Sequence, residues 1–406
     1  MKTMVSLACL VWCTLALAQD LRKEMMERGV RFFRDHAHPV SGLVRDRAHN
    51  FQDTPASNHV SSIASTGFGL VVLSHAESIG LLPAGVGHEQ VLRTLRFVRA
   101  HVPRKAGWFV HFADWETGKR VWKSEYSTID TALLVAGALY AGHVFGGEVR
   151  EIAQRLHRDM NFYFFRTNNG RIPFKKTLTL SWTPEQGFVP WQWLGYSEQM
   201  VMLMLGLGHP TRPMPRSTWG AWHRELFWQD LMGQNAPLFI HQYSHAFVDF
   251  RQVRDGHDDY HQNSVAISRM HRRAADENGF WGWSAGDAPG GYRVYNPQDN
   301  NGTYCIGCAL ASAMFLPEEV LGDAQRWVDG PHRDKIWGRY GFVDGVNPGR
   351  DWWAPTVLGI TVGPLYMALA NTTNETIWSR YMALPETKKA LRAVNARRQR
   401  RFFIFN

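Results

Sequence analysis

The chain has 406 residues, a formal net charge of +9, four cysteines and an aromatic complement of 17 Trp, 12 Tyr and 23 Phe. Cys9 and Cys13 fall within an N-terminal leader, which leaves Cys305 and Cys308 too few to form a disulfide framework, so a large hydrophobic core must hold the fold. The positive charge gathers in a tail at Arg397, Arg398, Arg400 and Arg401 and is otherwise interleaved with acids, which argues against nucleic acid as a partner and for a solvated surface.

Lys2, the apolar run from Leu7 to Leu17 and the small-residue ending Ala16-Leu17-Ala18 read as a secretory signal peptide over residues 1–18. The expected product is a secreted or periplasmic monomer, residues 19–406, forming one domain. No later stretch is expected to reach the roughly 18 uncharged residues of a membrane span, so no integral membrane contact is expected.

From there the chain alternates apolar runs with charged, amphipathic segments of helical period. Val60–Ala76 is followed by His88–His101, Ser127–Gly142 by Glu148–Phe162, and Ser197–Leu207 by Thr218–Phe227. Pro237–Phe250 is followed by Tyr260–Asn278, Thr303–Phe315 by Pro317–Asp329, and Thr356–Ala370 by Glu375–Val394. Six runs apolar all round, each with one amphipathic companion, predict an all-α (α/α)6 toroid: six inner helices buried on every side, six outer helices facing water, and long loops at the mouth. Short hairpins are expected near Lys105–Trp122 and Gly279–Tyr295.

Several loops hand polar groups to the start of an inner helix. In Ser124-Glu125-Tyr126-Ser127-Thr128-Ile129-Asp130, Ser127 and Asp130 fit a capping box, whereas Glu125 lies outside the helix and has no capping duty. In Gly195-Tyr196-Ser197-Glu198, Ser197 is expected to cap the helix with Glu198 in its first turn. A catalytic acid there needs desolvation by Trp191, Trp193 and Tyr196 to offset the helix dipole. His241 and His245 stand four apart on one helix face, without the intervening Glu or the third ligand of a zinc site. Cys305-Ile306-Gly307-Cys308 likewise lacks the second ligand pair that zinc requires and reads as a packed or locally bridged pair, so neither metal nor cofactor is expected. Trp281 to Tyr292 joins aromatics, Asp287 and a flexible turn, and reads equally as one wall of a glycan subsite or as a glycine-rich surface turn.

Those strings, together with Ser41-Gly42-Leu43-Val44-Arg45-Asp46-Arg47, Ser62 to Leu70, Phe239 to Arg251, Pro317-Glu318-Glu319 and Trp337 to Asp344, run in order along nearly the whole mature chain. They resemble the glucoamylase-like domain family, which includes β-1,2-glucanases and the cyclisation domain of cyclic β-1,2-glucan synthases. The resemblance implies an (α/α)6 barrel with a glucan cleft at one end and catalytic acids at its mouth. By motif position it makes Glu198 the general acid, with Glu125 and Asp130 candidates for the second carboxylate. The chain departs from the family pattern at Gly286-Asp287-Ala288-Pro289-Gly290-Gly291-Tyr292, where one acid is missing, and at Cys305 to Cys308.

The expected activity is glycoside hydrolysis of a β-linked glucan, foremost the 1,2-linked polymer, by paired carboxylates. Arg45, Trp193, Tyr196, His241, Tyr243, His245, Arg251, Trp283, Asp287 and Tyr292 are the candidates for binding the sugar. Two other readings stand beside it. One is a polysaccharide lyase using Tyr243 or His241 as proton acceptor, and the other is a non-catalytic glycan-binding protein whose acids are only helix caps.

Overall fold

A computed structural model of the protein describes residues 20–53, 59–224, 231–257 and 259–395. The leader, the basic tail and the end of the Thr218–Phe227 segment lie outside those residues. The fold is mostly helical, with small antiparallel ladders of two or three strands.

Residues 20–35 form a first helix, α1, which the run-by-run reading passed over. The first apolar run gives α2 (Ile63–Ser78) and its companion α3 (Val86–His101). The second gives α4 (Thr128–Phe145), α5 (Gly147–Asp159) and a short α6 (Phe162–Arg166). Then come α7 (Met200–Gly208), α8 (Arg216–Trp219), α9 (Leu238–Phe247) and α10 (Tyr260–Arg273). The rest are α11 (Ile306–Leu310), α12 (Pro317–Asp329), α13 (Arg333–Ile336), α14 (Gly359–Asn374), α15 (Thr376–Ala383) and α16 (Pro385–Asn395). Two expected outer helices differ. The third is, among the described residues, only the four-residue α8, and the sixth is divided into α15 and α16 at Leu384-Pro385, where proline cannot continue a helix.

The apolar runs pack on one another in sequence: α2 on α4, α4 on α7, α7 on α9, α9 on α11, α11 on α14, and α14 back on α2. Buried residues line every side of α2 and α4, so neither has a polar face. Glycines set their spacing: a Cβ built on Gly137 of α4 would lie 2.1 Å from the Gly67 carbonyl of α2. At 18 residues with Asp130 its single charged side chain, α4 is long and apolar enough to cross a membrane, but most of it is buried inside the protein, where an all-round apolar helix also belongs.

The ladders gather where the apolar helices begin. Val60–Ser62, leading into α2, pairs with Phe112–Asp114, and Tyr126–Ser127, leading into α4, pairs with Ser181–Thr183. Thr356–Leu358, leading towards α14, pairs with Arg47–His49. Hairpins are present in both expected places, at Arg104–Lys105 with Trp108–Phe109 and at Ala285–Ala288 with Gly291–Val294.

Candidate active site

Glu125 and Asp130 come together through a residue that the sequence reading did not single out. His111 lies between them, its Nδ1 2.9 Å from Glu125 Oε1 and its Nε2 3.5 Å from Asp130 Oδ1. The backbone fixes this placement. The His111 amide donates to the Glu125 carbonyl at 2.8 Å, and the His111 carbonyl accepts from the Ile63 amide at the start of α2. Burial works against a charged imidazole here, but Asp130, Glu125 and Asp46 outweigh it and hold the His111 pKa up at about 9. Burial pushes the Glu125 carboxyl up in turn, and the His111 hydrogen bond and charge more than reverse that, leaving it below the ordinary carboxylate range. Asp130 receives the Ser127 hydroxyl at 2.5 Å on its other oxygen, while Ser127 Oγ accepts the Asp130 amide. The cap therefore exists, and it uses only one of the two carboxylate oxygens.

Glu198 precedes α7 instead of standing in its first turn, because the helix begins at Met200. Ser197 does not cap that helix; its hydroxyl donates to the neighbouring Glu198 carboxylate. Glu198 is 9% exposed. Burial raises its pKa, the Ser197 hydrogen bond opposes the rise, and the negative charge of Asp130 adds to it. That is the desolvation a proton donor needs.

A second polar cluster adjoins the first. Arg47 bridges Asp46 at 3.0 Å and Asp287 at 2.7 Å, and its guanidinium lies 5.6 Å from the centre of the half-exposed Tyr292 ring. Thr356 donates to the other Asp287 oxygen, and the Asp287 amide donates to Asp344 at 2.6 Å. Asp344 is wholly buried, takes the Thr361 hydroxyl at 2.7 Å, and has its pKa pushed up by burial and by the Asp287 charge. Tyr243 donates to the Ile360 carbonyl at 3.1 Å. It feels Tyr292, Glu198, Asp130 and Asp344, which ties both clusters to one site.

Of the ten residues expected to bind sugar, Tyr243, Asp287 and Tyr292 stand in this assembly. Trp193 stands at its edge, its indole donating to Thr128 at the first residue of α4. The structure moves the other six elsewhere. Arg45, one residue out of phase with Asp46, stacks its guanidinium 3.8 Å from the centre of the Trp115 ring. Tyr196 is buried beside His241 and Tyr260 with its hydroxyl against Ser264. His241 and His245 are core residues, fully buried or nearly so, because α9 has neighbours on all sides. His241 Nε2 meets the Gly233 carbonyl and His245 Nε2 meets the Ser264 hydroxyl. Trp283 is likewise buried. Arg251 follows the C-terminal end of α9, away from its start, and pairs there with Asp249 and Glu375.

Cys305 and Cys308 are joined by a disulfide whose Cα atoms are 5.3 Å apart, with the Cys305 sulfur facing the Asp344 carboxylate. A separate hollow of about 1440 Å³ is lined by Lys176, Arg216, Trp219, Arg254 and Asp255 among others and touches none of the three candidate acids. Chemistry, not concavity, locates the site.

Residues 190–385 match the family model described as "Putative glucoamylase". Over 93% of its length the chain is 23% identical to the exo β-1,2-glucooligosaccharide sophorohydrolase of Parabacteroides distasonis, and it spans 58% of that longer protein. Two solved structures share the fold. The endo-β-1,2-glucanase of Chitinophaga pinensis, in complex with sophorotriose and glucose, superposes with a TM-score of 0.82 at 23% identity, covering 93% of this chain and 98% of that one. The β-1,2-glucanase of P. distasonis gives 0.83 at 21% identity, covering 94% and 60%. The chain thus resembles the glucoamylase-like domain family in sequence over residues 190–385, and it shares the fold of these two structures.

Proposed function

We propose that this glucoamylase-like protein is a glycoside hydrolase that cleaves a β-linked glucan, the 1,2-linked polymer first among them, by paired-carboxylate catalysis. One observation carries the reading. Glu198 is a desolvated carboxyl whose pKa is raised by burial and further by the charge of Asp130, and Asp130 stands by His111, which is hydrogen-bonded to an ionised Glu125. Two acids whose surroundings push them to opposite protonation states are what glycosidic cleavage requires. In the proposed step Glu198 gives its proton to the leaving oxygen as that bond breaks. Glu125 or Asp130 serves the opposite face, either taking a proton from the attacking water or bonding to the sugar carbon. The relatives named above act on β-1,2-linked glucans, which selects the substrate to try first.

The scaffold we propose is the (α/α)6 toroid, a reading supported by the succession of helix contacts that returns from α14 to α2. Export to a secreted or periplasmic location after removal of residues 1–18 belongs to the same proposal and is supported by the leader composition, and a monomer with 19–406 as one domain is proposed with it. The lyase reading loses its proton acceptors. His241 is buried in the core, and the Tyr243 hydroxyl donates to a carbonyl while burial raises its pKa.

Product analysis on a panel of β-glucans tests the activity. Release of β-1,2-linked glucooligosaccharides or glucose from the 1,2-linked polymer supports it. Binding without any product on the whole panel refutes it.

A further inference from the structure

We infer that His111 is a positioning residue which, by bridging Glu125 and Asp130, binds Glu125 as its own anchor and leaves Asp130 as the carboxylate that works opposite Glu198. This rests on the hydrolase reading above and chooses between two acids that reading leaves open.

A carboxylate only accepts, and a neutral imidazole donates through one nitrogen alone, so only the imidazolium can donate to Glu125 and at the same time turn a second N–H, not a lone pair, towards Asp130. His111 is placed that way, and its ring cannot swing free. It stacks on Phe112 with centroids 3.9 Å apart and planes within 18°, and its backbone is bonded on both sides to Glu125 and Ile63. The charged groups around it come from every neighbouring segment. Glu125 and Asp130 come from the entry to α4, and Asp46 from the segment ahead of the Arg47–His49 strand. Arg47 lies beyond Asp46, and Arg120 acts on Glu125 from the far side while itself paired with Glu185. Acids outnumber bases at the ring itself, which agrees with its raised pKa.

The two carboxylates are not held alike. Glu125 is in direct hydrogen-bond contact at 2.9 Å, whereas Asp130 Oδ1 stands at 3.5 Å, beyond good hydrogen-bond length and close enough for charge to act. Asp130 is also the acid whose charge is felt by Glu198. Glu125 is therefore committed to the histidine, and Asp130, whose Oδ2 takes the Ser127 hydroxyl, keeps Oδ1 for water or sugar.

Imidazole NMR and pH–rate profiles on β-1,2-linked glucooligosaccharides test this together, using the full-length protein and H111Q, E125Q and D130N. In the wild type the His111 ring should stay doubly protonated up to about pH 9, and in E125Q it should lose its proton at lower pH. D130N should lose roughly 100-fold or more in kcat, the range expected for a lost general base, while E125Q falls clearly less. H111Q should move the acidic limb of the rate profile to higher pH, because a carboxylate deprived of a neighbouring cation holds its proton longer. Titration of the wild-type ring near the ordinary 6.5 would overturn the inference. So would an acidic limb that H111Q leaves in place, or E125Q falling as far as D130N. A wild type inert on every β-glucan would sink the hydrolase reading instead, and the ring titration would still decide the bridge.

Discussion

The Ser244 hydroxyl of α9 donates to the Glu198 carbonyl at 2.6 Å and accepts the Val201 amide at 2.9 Å, so one buried side chain pins the turn that presents Glu198 to the start of α7. The first prediction follows from that bridge. S244A leaves a buried carbonyl and a buried amide without their partner, at a cost of about 1–3 kcal/mol. It should also lower kcat more than it raises KM, since the turn it loosens carries the proton donor. Urea unfolding and steady-state kinetics read the two effects; unchanged values in both would show that the turn holds itself.

The contact of α2 with α4 gives a second prediction. G137A forces a methyl group against the Gly67 carbonyl, from backbone to backbone with no flexible side chain to yield. Overpacking of this kind costs about 1–3 kcal/mol, and more where nothing can shift. G322A, on the exposed face of α12 with nothing within 4 Å of its Cβ, should instead gain about 0.5–1 kcal/mol from helix propensity. Opposite signs for the two glycines in one denaturation series are the expected result.

Buried histidines give the third. Burial lowers the His157 pKa to about 4, although Nε2 donates to the Leu205 carbonyl at 2.9 Å. The unfolded chain binds a proton near 6.5 and the folded one does not, so His157 favours the folded state above pH 6.5. That advantage is lost as pH falls towards 4, by about 1.4 kcal/mol per pH unit. The buried carboxyls Glu198, Asp46 and Asp344 work the other way, since their raised pKa values favour the folded state as acid is added. H157Q isolates one side of that balance. It keeps a donor near Leu205 and removes the titration, so its stability should fall less steeply between pH 6.5 and 4 than the wild type's, as chemical denaturation across pH would measure.

What could be read from the sequence follows from periodicity. The six apolar runs were legible because a helix buried on all sides leaves no polar stripe, and each lies within a few residues of a helix or helical turn. Helix α1 carried a signal as well, in the spacing of Leu21, Met25, Val30 and Phe33, but no apolar run stood beside it to pair with. His111 was invisible because it sits in the short bend between Val110 and the Phe112–Asp114 strand, where neither spacing nor capping marks a residue. The same limitation misplaced His241 and His245: four-residue spacing puts two side chains on one face of α9 without saying that this face meets the core. Arg251 was misjudged because order along a motif does not tell which end of a helix a residue occupies. Asp46 and Arg45 differ by one position along a nearly extended segment, and only the fold decides which of them points at the acids.

Replacing Glu198 by Gln tests the central claim most directly, because it removes the transferable proton and keeps the size and the Ser197 contact. With the wild type active on a β-1,2-linked glucan, E198Q should retain its cooperative unfolding and lose on the order of 100- to 10,000-fold in kcat, as loss of a general acid entails. An E198Q protein that unfolds like the wild type and still cleaves the glucan at a comparable rate would contradict the account.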